Sequence, residues 1–391
     1  MHILLGKFTS VPDHGPDLRA NLKLYQPRAV IGVSSTLPCH PHLSDINESQ
    51  DELRHRFRVI NLRSKSKGGE GAVASSRRHD GNAFNCTWSK TTPTFRVCVH
   101  SKERDKYISA ALLSSGIWEP FVTIIFQQAL TLHPDAAVID IGANIGYYTL
   151  LAAAMGHPVL AVEPQRENLR RLAEAARPRM RNWQNSKNGS SEAGIGSWAA
   201  GRILLLANAV SDGHRNVSLT TSPDNQGEVR VVEECESPLW SLPGRLTGWW
   251  RRRRDKPRTD RGHAGAQPEC DVITLTMDDL LLAVPSGKVI IKVDIEGYEC
   301  RALATARKFF SILQVPYILM EWRQMRQRQH HQHTDCTPPQ ILHLARFLAN
   351  RGYMPHEVRS GVALDPGQAS TWMVGDVYWR AAGQRLLTPA W

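Results

Sequence analysis

A short glycine-containing loop is the part of the sequence whose spacing most directly suggests chemistry. Residues 138–150 read VIDIGANIGYYTL, an apolar run that ends near Asp140 and turns through Gly142 and Gly146 into a helical pattern. In open α/β sheets, ligands bind at such carboxyl ends of strands. Glycine lets a backbone approach a nucleotide-like ligand closely, and Asp140 is placed to orient the loop or the ligand. The loop therefore indicates a cofactor site.

The glycine pattern distinguishes between cofactors. A dinucleotide site requires G-x-G-x-x-G, but the positions in register with Gly142 hold Asn144 and Tyr147. This weakens an NAD interpretation. The motif D-I-G-A-N-I-G at 140–146 suits S-adenosylmethionine, which has no pyrophosphate to place against the middle glycine and the helix N-terminus. We therefore expect S-adenosylmethionine at this loop.

A second acidic strand end follows at the expected distance. Glu163 ends the apolar segment before Pro164 and lies 163 − 140 = 23 positions after Asp140. In dinucleotide sites, an acidic residue at this strand end accepts hydrogen bonds from ribose hydroxyls. A lone glutamate is usually an ordinary surface residue, but its place after a glycine loop and a helix favours the ribose role.

Two acids of a later motif are candidates for the reaction itself. Asp294 and Glu296 alternate in IIKVDIEGYE at 290–299, so they share one face of an extended chain. A strand end there would put that face over the cofactor cleft. Methyl transfer to oxygen needs a base for the hydroxyl proton, and we expect Asp294 to be that base, with Glu296 second. Two alternatives stay open: the acids cap a helix starting near Tyr298, or they form the D-x-E metal clamp of a glycosyltransferase.

Alternating strand and helix patterns must position these residues, which favours an α/β fold with a largely parallel sheet covered on both faces. Helices are predicted near Gly146, after Pro164, from Tyr298 to about Leu313, and within 106–132, where apolar residues recur at helical spacing. Residues 84–100 favour a hairpin. The predicted strands are Ala137–Ile141, Val159–Val162, Ile203–Ala209, Val289–Asp294 and Tyr317–Glu321.

The ordered set of motifs resembles the FkbM family of methyltransferases. The matching segments are VIDIGANIGYYTL, VEP, NAVSD at 208–212, TLTMDDLL from residue 274 and IIKVDIEGYE. The resemblance implies a Rossmann-like class I methyltransferase fold with a seven-stranded sheet, and often O-methylation of a hydroxyl on a sugar or natural product. It marks Asp294, Glu296 and Gly297 as bordering the reaction centre. It marks as cofactor-binding Asp140, Gly142, Asn144, Gly146, Glu163 and Asn208.

The chain divides into an extension and one catalytic domain. Residues 1–82 are rich in polar residues, Pro and Gly without sustained periodicity, so we expect a largely disordered extension. Residues 83–391 form the predicted methyltransferase domain. Inserts at about 182–201, 237–268 and 323–336 depart from a compact family member, so the identity of the hydroxyl-bearing acceptor, a glycan or small molecule, is not fixed by the resemblance.

The positive charge is concentrated in one insert. The net charge is +11, and residues 249–261 read WWRRRRDKPRTDR. Such a run attracts nucleic acid, anionic lipid or acidic glycans, but a solvated loop is the simpler interpretation. No nucleic-acid-binding motif surrounds it, so sequence-specific nucleic acid binding is not expected. A rival hypothesis is a non-catalytic, cofactor-binding protein that uses this basic loop for docking.

Cysteine and histidine patterns predict no metal site. The seven cysteines contain no CxxC pair, and the histidines at 330, 331 and 333 are typical of an exposed loop. Cys86 and Cys98 flank a turn and form either a hairpin disulfide or two buried thiols. Four N-x-[ST] sequons, at Asn47, Asn85, Asn188 and Asn216, together with the possible disulfide, favour the secretory lumen slightly. The opening residues form too short an apolar patch for a signal peptide, so a cytoplasmic location and an N-terminus farther upstream both stay open. No membrane-spanning segment is predicted.

Overall fold

The protein is described by a computed structural model for residues 56–60, 84–177, 202–222, 225–232, 272–328 and 336–389. These residues all fall in one compact unit, Thr36–Trp391. The inserts predicted near 182–201 and 237–268, the basic run, the histidine cluster and the sequons at Asn47 and Asn188 lie outside the described residues.

An eight-stranded, mostly parallel sheet forms the centre of the fold, in the order β1-β6-β5-β4-β11-β12-β14-β13. Strands β6, β5, β4, β11 and β12 are parallel to one another, whereas β1 pairs antiparallel with β6, and β14 pairs antiparallel with both β12 and β13. The strands are β1 Val59–Ile60, β4 Ala137–Ile141, β5 Val159–Val162, β6 Ile203–Leu206, β11 Val289–Val293, β12 Tyr317–Glu321, β13 Tyr353–Glu357 and β14 Asp376–Ala381.

Helices cover both faces of this sheet. They are α1 Ile108–Ser114, α2 Pro120–Leu132, α3 Tyr147–Ala154, α4 Arg166–Ala176, α5 Glu299–Ala304, α6 Arg307–Ile312, α7 Arg323–Arg328 and α8 Pro338–Ala349. Two short 3-10 helices, Asp279–Leu282 and Pro366–Thr371, complete the described set. No helix among the described residues is long and apolar enough to cross a membrane.

Alternation along the buried strands divides the apolar residues into two cores. In β4, Ala137, Ile139 and Ile141 pack in one core with residues of α5, α6 and α8. Val138 packs in the other core with residues of α2, α3 and α4. Because side chains alternate across a strand, Asp140 shares the face of Val138. The strand is buried on both sides, which explains why four of its five residues are apolar.

The strand order reverses between β4 and β11. From β4 the chain proceeds outward to β5 and β6, and later returns to place β11 on the other side of β4. Ligands in open α/β sheets bind at the carboxyl ends of the strands at such a reversal. The glycine loop after β4 and the acidic motif after β11 therefore meet at the predicted place.

Two smaller sheets flank this edge. Strands β7 Ala209–Val210, β8 Asn216–Ser222, β9 Asn225–Val232 and β10 Val272–Leu275 form a four-stranded sheet in the order β7-β10-β8-β9. Strands β2 Cys86–Trp88 and β3 Arg96–Cys98 form the predicted hairpin, and Cys86 and Cys98 are directly paired and joined by a disulfide. The sequon residues Asn85 and Asn216 are both exposed.

The predicted mixed α/β architecture with a large, mostly parallel sheet is confirmed, but several boundaries differ. The predicted bounds of β4, β5 and β12 match the structure. The predicted strand Ile203–Ala209 ends at Leu206, and the long helices predicted within 106–132 and from Tyr298 are each divided in two. The eighth strand comes from residues 56–60, which the sequence assigned to a disordered extension but which pair with β6 at the sheet edge.

Candidate active site

A cavity opens at the strand reversal and gathers most of the predicted site residues. It is lined by Gly142, Asn144, Glu163, Asn208, Asp294 and Glu296, six of the nine predicted positions. Asp140, Gly146 and Gly297 do not line it. Apolar walls come from residues that were not predicted as part of the site, namely Ile108 of α1, Trp118 before α2 and Val210 of β7.

The two loop glycines are needed for packing within the protein. Gly142 has φ +82°, and a Cβ there would stand 1.8 Å from the main-chain oxygen of Asp294. Gly146 has φ +90° and begins α3, and a Cβ there would stand 2.2 Å from Leu172 Cδ1 in α4. The sequence interpretation gave these glycines the task of admitting a cofactor. Their immediate neighbours are instead the β11 loop and α4, so they hold the cavity wall together.

Asp140 is buried behind the cavity. Its Oδ2 accepts a 2.5 Å hydrogen bond from Thr149 Oγ1 of α3. Burial raises the pKa of Asp140 to about 6, against the opposing effect of that hydrogen bond. Asp140 therefore fixes α3 against the end of β4. Of the two roles considered from the sequence, orienting the loop or orienting the ligand, this contact favours the first.

Glu163 lies at the end of β5 with its carboxylate facing the glycine loop. Its Oε2 accepts from the Asn144 main-chain N–H at 2.8 Å, and its Oε1 accepts from the Gln165 N–H at 2.9 Å. Burial raises its pKa to about 7, and the two main-chain donors oppose this effect. Its Oε1 also accepts from Asn168 Nδ2 at 3.4 Å. Since each carboxylate oxygen can accept two hydrogen bonds, Oε2 can accept one more from a ligand.

Asn208 joins separate chain segments. Its Nδ2 donates to the main-chain oxygens of Arg56 and Ile273, each at 3.0 Å, and its Oδ1 accepts from the Arg58 N–H at 2.9 Å. Asn208 is fully buried. The amide therefore ties the segment before β1 to β10 and supports the cavity wall, a structural task the sequence did not predict.

Asp294 is paired with a buried lysine. Lys292, two residues earlier on β11, is fully buried and donates from Nζ to Asp294 Oδ2 at 2.8 Å. The same ammonium lies 5.0 Å from the centre of the Tyr148 ring. Burial would lower the pKa of Lys292, but the surrounding carboxylates, chiefly Asp294, outweigh this effect and raise it. Lys292 is therefore charged.

Two further carboxylates surround this ion pair. Glu119, in the left-handed conformation before α2, accepts a 2.9 Å hydrogen bond from the Tyr148 hydroxyl. Burial, followed by the charge of Asp376, raises the pKa of Glu119 to about 8. Burial likewise raises the pKa of Asp376 to about 6, although Lys292 opposes the shift. The buried ammonium of Lys292 therefore interacts with three acidic groups, those of Asp294, Glu119 and Asp376.

The loop after Asp294 is fixed mainly by Glu299. The Glu299 Oε1 accepts from the main-chain N–H groups of Ile295 and Gly297, at 3.1 and 3.4 Å. The start of α5 at Tyr298 receives no side-chain cap. Glu296 and Gly297 both have positive φ, 59° and 96°. The alternative that Asp294 and Glu296 cap this helix is therefore not supported by these contacts.

Glu321 joins the two predicted catalytic acids. It ends β12, beside β11 in the sheet, and a carboxylate oxygen from each of Asp294, Glu296 and Glu321 lies within 4.8 Å of the others. Glu321 also lines a second cavity with Glu119, Arg323 and Asp376. The sequence analysis missed this grouping, although a strand-end acid on a neighbouring parallel strand was an available signal.

A family comparison agrees with this arrangement of loop and acids. Residues 140–355 match the family described as the methyltransferase FkbM domain. The chain belongs to the FkbM methyltransferase family. The suspected family is thereby confirmed, and a methyltransferase assignment disfavours the glycosyltransferase alternative.

A curated relative of this FkbM chain is also a methyltransferase. Over 64 residues, the chain is 36% identical to protein-L-isoaspartate O-methyltransferase of Methylorubrum populi. The match covers 16% of the chain and 28% of that protein. This short overlap supports the methyltransferase class and does not extend to the acceptor of that enzyme.

Proposed function

We propose that this FkbM-family protein transfers a methyl group from S-adenosylmethionine to a hydroxyl group of a sugar, glycan or small metabolite. The observation that carries the proposal is the shared cavity: Glu163 and the glycine loop form one part of its wall, and Asp294 and Glu296 another. A cofactor held by the former would present its reactive end toward the acids. The family match supports methyl transfer, and the positions of the residues that line the cavity suggest their roles.

The residues of the cavity suit the proposed cofactor. Glu163 Oε2 offers an acceptor for a ribose hydroxyl, and Ile108, Trp118 and Val210 offer apolar surface for an adenine ring. Gly142 allows the loop after β4 to lie directly against the main chain of Asp294. S-adenosylmethionine, when bound, supplies an electrophilic methyl group on a sulfonium. The chain must then align an acceptor oxygen in line with that methyl group and exclude water.

Asp294 is the proposed general base. Its carboxylate lines the cavity, and Lys292 fixes one of its oxygens by an ion pair. A carboxylate at this position can accept the proton from an acceptor hydroxyl. Glu296 lines the same cavity two residues later and is the second candidate.

The proposal is tested by separating binding from turnover. Asp294→Asn preserves shape but removes the base, so S-adenosylmethionine binding measured by calorimetry should persist while methyl transfer is lost. Glu163→Gln should weaken cofactor binding instead. The acceptor is found by incubating the protein with labelled cofactor and a panel of glycans and extracts, then identifying the methylated product by mass spectrometry. Absence of cofactor binding by the unmodified protein would refute the proposal.

A further inference from the structure

Three carboxylates stand close enough to share one cation. Asp294 and Glu296 follow β11, Glu321 ends β12, and their ligand oxygens all lie within 4.8 Å of one another. Divalent ions bind carboxylate oxygens at about 2.0–2.6 Å, so two ligands on opposite sides of an ion stand about 4–5 Å apart. The spacing of the triad falls in that range without a change of backbone.

Glu321 gives an independent sign of a missing ligand. Its side chain is only 9% exposed, and its Oε2 has no hydrogen-bond partner among the residues that the structure describes. The other oxygen lies 3.5 Å from the guanidinium of Arg323, which is 57% exposed and therefore well screened by solvent. A buried, unsatisfied carboxylate oxygen is costly, and native proteins rarely retain one without a partner.

The local charge also favours a cation. The Glu321 carboxylate lies close to those of Asp294 and Glu296, so three acidic groups meet at one point. Lys292 already pairs with Asp294 and also acts on Glu119 and Asp376. A divalent ion beside Glu321 would therefore offset charge that the lysine does not balance.

We propose that Asp294, Glu296 and Glu321 bind a divalent cation of the Mg²⁺ or Mn²⁺ type, with water or an acceptor oxygen completing its coordination. Such hard cations prefer oxygen ligands. Asp294 and Glu296 line the cofactor cavity and Glu321 lines the second cavity, so the ion stands between them.

The role of the ion rests on the proposed methyl transfer, but its binding does not. A hydroxyl bound to the cation becomes more acidic and releases its proton to a carboxylate or water. The new O–CH₃ bond forms as the S–CH₃ bond breaks, and the bonding electron pair remains on the thioether sulfur. In this arrangement Asp294 acts as a metal ligand as well as the proposed base.

Binding is tested with Mn²⁺ alone. Chelator-treated full-length protein is titrated with Mn²⁺, and free ion is measured by electron paramagnetic resonance. We expect one site, and Glu321→Gln should weaken it on the order of 10–100-fold. Glu357→Gln is the matched control, because Glu357 lines the second cavity outside the triad and should leave Mn²⁺ affinity unchanged. If the unmodified protein does not bind Mn²⁺ stoichiometrically, or if the two variants bind Mn²⁺ with equal affinity, the proposed cation site is refuted.

Further measurements separate this proposal from the proposed function. The fold of Glu321→Gln is checked by circular dichroism and by S-adenosylmethionine binding in the presence of chelator, which should match the unmodified protein. With Mn²⁺ bound, the labelled methyl resonance of the cofactor should broaden, and with Mg²⁺ it should not. Mn²⁺ binding without broadening overturns the placement beside the reaction centre. Failure of cofactor binding alone refutes methyl transfer and leaves the Mn²⁺ titration as the test of the site.

Discussion

Replacing Lys292 by methionine tests whether the buried ammonium is needed to keep acids at the cofactor edge of the sheet. The side chain is 1% exposed and pairs with Asp294 at 2.8 Å. Removing one partner of a buried ion pair costs about 3–5 kcal/mol, since the other charge is left uncompensated. Lys288→Met is the control: this lysine lies just before the same strand but pairs with Asp135, which is 63% exposed, so its loss should cost about 1 kcal/mol or less.

The penalty for Lys292→Met should depend on pH. Lys292 lowers the pKa of Asp376, which burial nevertheless raises to about 6 from an ordinary value of 3.8. Without the lysine this pKa rises further, so the folded variant holds a proton that the unfolded chain has released. Its stability relative to the unmodified protein therefore increases as pH falls from 8 to 5. For each unit by which the substitution raises the pKa of Asp376, the loss of stability at pH 5 should be smaller than that at pH 8 by about 1.4 kcal/mol.

Urea denaturation followed by circular dichroism at pH 8 and pH 5 measures both effects. Lys292→Met should be several kcal/mol less stable than Lys288→Met at pH 8, and the difference should narrow at pH 5. Adding Asp294→Asn to Lys292→Met should recover part of the loss, because the two residues interact directly. Equal penalties for the two lysine variants, or a Lys292 penalty that grows as pH falls, would refute the reasoning.

Three other predictions concern the cavity. Gly142→Ala should cost about 1–3 kcal/mol more than Gly156→Ala in urea denaturation, because both glycines have positive φ but only the first would clash; similar losses would contradict the packing role. Since burial raises the pKa of Glu163 to about 7 and its ionised form is the proposed acceptor of a ribose hydrogen bond, S-adenosylmethionine should bind about tenfold more weakly at pH 6 than at pH 8. In Glu163→Gln, the affinity for S-adenosylmethionine measured by calorimetry should depend less on pH. An equally steep pH dependence in this variant would show that Glu163 does not cause it. Asp294→Asn should lower turnover about 10²–10⁴-fold with cofactor affinity unchanged, and full activity would exclude Asp294 as base.

The parallel centre of the fold was predictable because its strands are buried on both faces. Strand β5 is entirely apolar, and β4 and β12 each carry a single acid near the carboxyl end, Asp140 and Glu321, so their predicted bounds match the structure. The outer elements were harder. Strand β1 is only two residues long and is ordered by pairing with β6 and by the Asn208 amide, contacts between positions about 150 residues apart in sequence.

The site was predictable where its residues follow strand ends, and less so where they arrive from elsewhere. Asp294 and Glu296 were predicted as site residues from the sequence. No role was predicted for Lys292, although a lysine in the middle of an apolar strand is unusual. Burial of a lysine requires a charged partner, and the alternation of the strand puts Asp294 on the same face. Glu119 was beyond prediction, because only tertiary packing brings the start of α2 to Tyr148.

The glycine loop shows how a correct residue assignment can rest on an incomplete reason. The sequence required glycine so that a cofactor could approach, whereas a side chain at Gly142 would first meet the main chain of Asp294. The loop after β4 and the acidic loop after β11 are thus in direct contact, and Asp140 fixes the same loop to α3 through Thr149. A change at Asp140 or Gly142 would therefore move cofactor loop and acids together. For this reason, loss of S-adenosylmethionine binding in Asp140→Ala would demonstrate loop positioning, and only Glu163 variants test a direct cofactor contact.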